Sequence, residues 1–344
     1  MRNKRQILTG GAAAFAMLII VLDTKTALGG ARDGITLCVQ TVIPSLFPFI
    51  VFSGIINSCI LGSKLRLLRP LGQLCKIPDG SESLLLIGLI AGYPIGAQLI
   101  GESFRQGNLS KETANRMLGF CSNAGPAFLF GMIAQQFSHP VIPLLLWLLH
   151  IITAVAVGSV LPSVWNGSCE LKNARPLTLV QSLPIALKAM SEICGWVILF
   201  RIALAFFDRW FFWRVDSDIL VLVSGLLELS NGCVQLKNIT SEGLRFVFAS
   251  LMLAAGGLCV GMQTVSVTNG LGTGWYFPGK VLQSLLAVTL SCFVQPHLFP
   301  AGDAFLITPG VFYILLIVTA VYVWYLRKKG LAFLRRLQYN RENK

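Results

Sequence analysis

The fold is decided by the stretch Leu84-Leu85-Leu86-Ile87-Gly88-Leu89-Ile90-Ala91-Gly92-Tyr93-Pro94-Ile95-Gly96-Ala97-Gln98-Leu99-Ile100. It is as apolar as a membrane span but is interrupted in the middle. Proline lacks a backbone N–H and clashes with the preceding turn, so a helix cannot run cleanly through Gly92-Tyr93-Pro94. In lipid, freed backbone groups are tolerated only where protein or a water-filled cavity satisfies them. The stretch therefore predicts a broken helix or a re-entrant hairpin.

A second interruption, Ser122-Asn123-Ala124-Gly125-Pro126, follows in the same half of the chain. A comparable pair recurs roughly 130 positions later, at Glu228-Leu229-Ser230-Asn231-Gly232 and at Gly256-Gly257 running to Gly261-Met262-Gln263. Paired interruptions in corresponding positions of two halves are the best sequence pointer to the binding site of a transporter. The pattern predicts two inverted-topology repeats.

Composition places the chain in the membrane. Of its 344 residues 54% are hydrophobic and 12% are charged, and the mean hydropathy is +0.70. Soluble domains carry about 25% charged residues. The net charge of +13 does not indicate nucleic-acid binding, because the basic residues lie mainly in the N-terminus, short loops and tail. We predict an all-α polytopic membrane protein of about 8–10 apolar segments, with broken helices or re-entrant hairpins.

The same pattern gives the domain organisation. An N-terminal span and first loop occupy residues 1–33, a first repeat 34–182, a second repeat 183–326 and a basic cytoplasmic tail 327–344. Basic groups lie before the first span, after the second and in the tail. All three are cytoplasmic if the first two segments each cross once and an even number of segments cross in total.

Polar residues at the interruptions are the candidate substrate-binding groups. Glu228 is the sharpest case, because charged groups inside spans are costly and usually functional. Amides donate and accept hydrogen bonds, which suits a polar solute. The predicted site consists of Gly92, Tyr93, Pro94, Gly96, Gln98, Asn123, Gly125, Pro126, Glu228, Ser230, Asn231, Gly232, Gly257 and Gln263.

Other polar residues in the spans have simpler interpretations. Lys188 and Glu192 are four positions apart, so we expect them to neutralise each other on one helix face. His150 is expected to be a packed polar residue. The nine cysteines and three histidines show no ligand spacing, so neither a metal nor a cofactor is predicted. The chain shows no phosphate-binding or catalytic motif, and we expect that it is not an enzyme.

The interruptions also carry a family resemblance. The sequence Gly92-Tyr93-Pro94-x-Gly96-Ala97, followed by Arg116-Met117-Leu118-Gly119-Phe120-Cys121-Ser122-Asn123-Ala124-Gly125-Pro126-Ala127-Phe128, resembles the sporulation integral membrane protein YlbJ family. Thr41-Val42-Ile43-Pro44-Ser45-Leu46-Phe47-Pro48-Phe49, Glu228-x-x-Asn231-Gly232 and Gly256-Gly257-x-x-x-Gly261-x-Gln263 extend the resemblance. That family is grouped with nucleoside-recognition, or Gate, membrane proteins, which are similar to the core of concentrative nucleoside carriers.

The resemblance implies transport through hairpins in inverted repeats, and in spore formers it implies movement of dipicolinate into the developing spore. We therefore expect a transporter of a small polar or anionic solute, with dipicolinate as one candidate. The alternatives are a nucleoside-type carrier and a non-transporting scaffold for sporulation or envelope assembly. The expected partners are the solute, the lipid bilayer and an unidentified coupling ion. Nucleic acid is not expected as a partner, and a homo-oligomer is left open. The expected location is the bacterial cytoplasmic membrane, with the outer forespore membrane as one form of it.

Overall fold

The computed structural model describes residues 2–63, 65–163, 175–211, 216–268, 270–299 and 308–342. The regular elements in these ranges are helical, which confirms the predicted all-α class. The first half contains α1 (Arg2–Leu22), α2 (Thr24–Leu37), α3 (Ile43–Ile60), α4 (Arg69–Leu74), α5 (Glu82–Ile90), α6 (Ile95–Arg105), α7 (Lys111–Leu118), α8 (Pro126–Phe128) and α9 (Val141–Val160). The second half contains α10 (Leu179–Trp210), α11 (Ser217–Leu227), α12 (Leu229–Gln235), α13 (Glu242–Ala255), α14 (Gly257–Val267), α15 (Tyr276–Leu298) and α16 (Pro309–Glu342).

Six helical stretches within the described ranges are long and apolar enough to cross a membrane. They are Thr24–Ile60, Val141–Val160, Leu179–Trp210, Glu242–Val267, Tyr276–Leu298 and Pro309–Ala332. Two shorter apolar helices, Gln6–Leu22 and Ser217–Leu227, accompany them. A helix needs about 20 apolar residues to cross the hydrocarbon core. The protein is an integral membrane protein.

The first loop predicted up to residue 33 is helical instead. Thr24–Ile60 is one helical stretch of 37 residues, in which the π-helical turn Cys38–Val42 joins α2 to α3. Asp23 caps α2 and pairs with Arg209 at 3.2 Å. Asp33 pairs with Arg201 at 3.3 Å. The two acids of this segment are thus paired with bases of α10.

Each half of the chain holds one helical hairpin and one broken helix. In the first half, α5 and α6 form the hairpin around Gly92, and α7 and α8 are separated by the non-helical stretch 119–125. In the second half, α11 and α12 meet at Glu228, and α13 and α14 meet at the glycine pair Gly256-Gly257. All four interruptions read from the sequence are present in the structure.

Contacts between loops define the two ends of the bundle. At the end that we call the basic end, Arg116 donates hydrogen bonds to the carbonyls of Cys75, Lys76, Gly158 and Leu161. The tail helix α16 reaches the same end, where Lys329 lies over the ring of Trp275 at 5.6 Å. Positive charge is typical of the cytoplasmic side of membrane proteins, so the cytoplasmic placement of this end stays a prediction.

The opposite end is defined by the contacts of α13. Glu242 at its start accepts hydrogen bonds from the amide and hydroxyl of Ser138, and Arg245 donates to the carbonyls of Gln136 and Ile239. The hairpin α11–α12 therefore returns to this end, whereas α5–α6 lies between loops of the basic end. Opposite hairpins are what inverted repeats require. A twofold relation between the halves, and the division at residue 183, stay predictions.

Candidate functional site at the four interruptions

The two interruptions of the first half pack directly against each other. Gly92 has φ of +87°, a conformation that residues with a side chain rarely adopt. A Cβ atom on Gly125 would lie 2.8 Å from the Cα atom of Gly92, which is closer than real contacts allow. Gly96 is similarly pressed against the carbonyl of Cys121. Glycine at these positions lets the hairpin and the broken helix touch backbone to backbone.

The second half repeats this close approach with its own glycines. A Cβ atom on Gly232 would collide with Gly225 on the opposing helix of the hairpin. Gly257 has φ of +75°, and a Cβ there would lie 3.0 Å from the carbonyl oxygen of Gly225. The hairpin α11–α12 and the broken helix α13–α14 therefore meet at their interruptions too.

Tyr93 connects the interruptions of the two halves. Its hydroxyl donates a hydrogen bond to the carbonyl oxygen of Leu253, at 2.9 Å, in the last turn of α13. A Cβ atom on Gly256 would lie 3.2 Å from the same hydroxyl. The four interruptions thus form one cluster, although they are spread over about half of the sequence.

A central cavity of about 60 Å³ lies within this cluster. It is lined by six of the predicted site residues, namely Gly92, Tyr93, Gly125, Glu228, Ser230 and Gln263. Apolar residues of α3 and α10, including Phe49 and Val197, close its other side. Ligand pockets usually measure about 300–1,000 Å³, so in this conformation the cavity can hold a water molecule or an ion but no whole solute.

Glu228 is both the cap of α12 and a wall of the central cavity. Its Oε1 accepts from the amide of Ser230 at 2.9 Å, and its Oε2 accepts from the amide of Asn231 at 2.6 Å. Only 2% of the residue is exposed. Its charge lies at the N-terminus of a helix, where the helix dipole stabilises an anion. The carboxylate is therefore held by its own hairpin.

The other eight predicted site residues lie outside the central cavity. Pro94 and Gln98 line a second cavity, a polar groove between α6, α10 and α14. The remaining six residues, Gly96, Asn123, Pro126, Asn231, Gly232 and Gly257, line neither space. Asn123 is 1% exposed and donates to the carbonyls of Gly88 and Phe120, so it holds the broken helix against the hairpin. A direct role of these six residues in solute binding stays a prediction.

Sequence reasoning missed Lys280, which lies behind Tyr93. Lys280 is 4% exposed, and its Nζ donates to the hydroxyl of Tyr93 at 3.3 Å and to Oε1 of Gln283 at 2.9 Å. Nε2 of Gln283 in turn donates to Oδ1 of Asn123 at 3.0 Å. No ion pair of Lys280 with an acid is found within the described ranges. A buried cation within a membrane span is a functional signal, and here it contacts the residue that joins the two halves.

The sequence-based interpretation of His150 agrees with the structure, and that of the pair Lys188 and Glu192 does not. His150 is packed as expected, since its Nε2 accepts a hydrogen bond from the amide of Ala124 at 3.0 Å. Lys188 and Glu192 do not neutralise each other: both line the polar groove, and the described residues include no salt bridge between them. Four-residue spacing places two side chains on one face but does not fix the distance between their charged atoms.

Comparison with known proteins supports the family resemblance. Over 147 residues the chain is 26% identical to the sporulation integral membrane protein YlbJ of Bacillus subtilis (strain 168). The matched stretch covers 42% of this chain and 36% of that relative, so the comparison spans about a third of the relative's length. No family model matches the chain. No solved structure matches it either.

Proposed function

We propose that this protein transports a small polar or anionic solute across a bacterial cytoplasmic membrane, through the cluster of four interruptions. The observation that carries the proposal is that Tyr93 of the first hairpin contacts Leu253 of the second broken helix beside a cavity that holds Glu228. Transporters place substrate and coupling-ion sites where interrupted helices of two repeats meet, near the bilayer midplane. We propose no catalytic activity for this protein.

The helix ends at the cluster fit the polar groups of a solute. Neither α6 nor α14 has a side-chain cap on its first turn, so their N-terminal amides are free of competing side chains. Such amides and the helix dipole attract an anionic group, with about half a positive charge at each end. The N-terminus of α12 already carries Glu228. An anionic group of the solute would therefore bind at α6 or α14 rather than at α12.

The small volume of the central cavity bears on how the solute passes. The hairpins must separate to admit any molecule larger than an ion, which is the behaviour of a gated carrier. In the conformation described here the cavity suits a coupling cation beside Glu228. A non-transporting scaffold has no need for a carboxylate facing a cavity among interrupted helices, so we place it second.

The family resemblance names two solutes to test, dipicolinate and a nucleoside. The experiment is an uptake screen with purified protein in proteoliposomes, using radiolabelled dipicolinate and uridine alongside a panel of organic acids and amino acids. Empty liposomes give the background, and the Gly195→Ala variant is the matched control, because a Cβ at Gly195 meets open space. Saturable uptake of one solute is the expected result. Absence of uptake of every solute by monodisperse protein would favour the scaffold.

A further inference from the structure

The polar groove between α6, α10 and α14 is large enough for a solute. Its volume is about 410 Å³, which lies within the usual range of ligand pockets, about 300–1,000 Å³. Four charged side chains line it, with one acid and one base on each of two helices: Glu102 and Arg105 on α6, and Lys188 and Glu192 on α10. The groove therefore offers two positive and two negative groups around one space.

The four charged side chains, all within the described ranges, do not form salt bridges with one another. Gln98 donates to Glu102 at 3.1 Å. For Arg105, Lys188 and Glu192, no hydrogen bond or ion pair is found in the part of the chain that the structure describes. Yet α10 is one of the helices that are long and apolar enough to cross a membrane. Charges on such a helix face water or a partner rather than lipid, so the groove has to be filled with water or ligand.

The groove lies next to the central cavity on two helices and at the first interruption. On α10, Ile193 and Val197 line the central cavity, and Glu192 and Lys188 line the groove. On α14, Gln263 lines the cavity, and Ser266, about one turn further on, lines the groove. In the first hairpin, Tyr93 belongs to the cavity and the adjacent Pro94 to the groove. The groove residues precede the cavity residues on α10 and follow them on α14, and on each element they are near neighbours, so the groove adjoins the central cavity.

The groove opens toward the basic end of the bundle. α6 runs from Ile95 at the interruption to Arg105, and its 11 residues span about 16 Å, half of a hydrocarbon core of about 30 Å. The distal part of α6 lies beside the end of α14, where a Cβ on Gly101 would be 3.2 Å from the Cα of Thr268. The connector beyond α14 is also at the basic end, because the amide of Trp275 donates to Asn115 of α7. The mouth of the groove therefore lies at the basic end, which is predicted to be cytoplasmic.

We propose that this groove is a cytoplasm-facing vestibule that binds a small dipolar solute, one carrying a positive and a negative group, before it reaches the central cavity. Both faces of the groove present an acid and a base, so each end of a dipolar solute meets a complementary charge. A solute with one sign of charge would meet two like charges as well as two opposite ones. The inference rests on the proposed function for the path beyond the groove, and it narrows the polar or anionic solute of that proposal to a dipolar one, which dipicolinate is not. Binding in the vestibule is measured independently of transport.

The test uses a cysteine at Ser266 as reporter, because Ser266 lines the groove without contributing a charge. In a background with Cys59→Ala and Cys169→Ala, Ser266→Cys is treated with a membrane-impermeant thiol reagent in inverted and in right-side-out vesicles. We expect labelling about tenfold faster in inverted vesicles, whose cytoplasmic face is exposed, since the reagent reaches only water-exposed thiolates. Leu199→Cys, on a 54% exposed apolar position of α10, is expected to stay unlabelled as the lipid-facing control.

Ligand binding is then measured as protection of the reporter. γ-Aminobutyrate and glycine betaine, which are dipolar, should slow the labelling, whereas acetate and tetramethylammonium should not. Added to the reporter, Lys188→Gln or Glu192→Gln should each abolish this protection, and Lys237→Gln, at an exposed lysine outside the groove, should keep it. Four results would each overturn the proposal: equal labelling from both sides, no labelling, protection by singly charged ions, and protection only by short-chain phosphatidylethanolamine. Protection without uptake of any solute would refute the transport function and leave the vestibule standing.

Discussion

Replacing Glu228 by asparagine separates the two roles that the structure gives to this residue. The carboxylate accepts two backbone hydrogen bonds, from Ser230 at 2.9 Å and Asn231 at 2.6 Å, and it faces the central cavity. Asparagine is as good an N-cap as aspartate or serine, so the helix cap survives the change. The negative charge does not survive it. We expect a folded protein whose transport is lost.

The expected changes in stability and in uptake rate follow from the same contacts. The asparagine oxygen can accept one of the two amides, and a buried donor left unsatisfied costs about 1–3 kcal/mol. Removing an isolated charge from a membrane segment returns about 2.5–3.5 kcal/mol on insertion scales. The two terms nearly cancel, so the melting temperature in detergent should change little. Loss of the charge from the cavity should lower the initial uptake rate by at least about tenfold, equivalent to 1.4 kcal/mol.

The assay compares three variants in parallel, by melting in detergent and by uptake into proteoliposomes. Glu228→Asp keeps both cap and charge, and it should retain most of the transport. Glu228→Ala loses both, and because it leaves two buried amides unsatisfied where Glu228→Asn leaves one, it should be less stable than Glu228→Asn by about 1–3 kcal/mol. Glu228→Asn should match the wild type in melting and fail in uptake. Wild-type uptake by Glu228→Asn would show that the carboxylate is only a helix cap, and the reasoning would be wrong.

Three further predictions concern the framework of the cluster. Gly125→Ala should lower stability by about 1–3 kcal/mol, because its Cβ would press on the backbone of Gly92, whereas the control Gly195→Ala should not. Thermal melting in detergent compares the two variants, and equal melting temperatures would contradict the close approach. Lys280→Met should keep the fold, because methionine is similar in length and removes a buried charge. It should reduce uptake, because Tyr93 loses its charged partner. Unchanged uptake would show that Lys280 has only a packing role. Arg116→Lys should destabilise by about 1–3 kcal/mol, because the three N–H groups of an ammonium leave at least one of the four carbonyls at the basic end unsatisfied. A melting temperature equal to that of the wild type would refute this.

Much of the cluster could be read from local chemistry. Gly92-Tyr93-Pro94 and Gly256-Gly257 mark interruptions, because glycine and proline that stand close together in an apolar stretch disfavour a continuous helix. The structure has helix breaks at both positions. Residues that line the cavity are neighbours of these breaks, and six of the fourteen predicted site residues are among them; that they bind a solute stays a prediction.

Features that depend on distant partners could not be read in this way. Lys280 stands at the start of an apolar segment, where a lysine normally extends to the membrane surface. Only its contact with Tyr93, 187 positions away, shows that it is buried. The helix across residues 24–33 was missed for the same reason. Its polar residues pair with α10, and a Cβ on Gly30 would lie 2.9 Å from the Cα of Ile202, so this part of the chain is shaped by its neighbour.

The central claim, that solute passes through the cavity at the four interruptions, is tested most directly by a thiol reporter in that cavity. Val260 lines it, is 7% exposed, and is close to cysteine in size. Val260→Cys is labelled in proteoliposomes with and without the solute identified by the uptake screen. We predict that saturating solute slows labelling several-fold, roughly fivefold or more, and that a related compound that is not transported has no effect. Equal labelling with and without solute, in protein that still transports it, would place the path elsewhere.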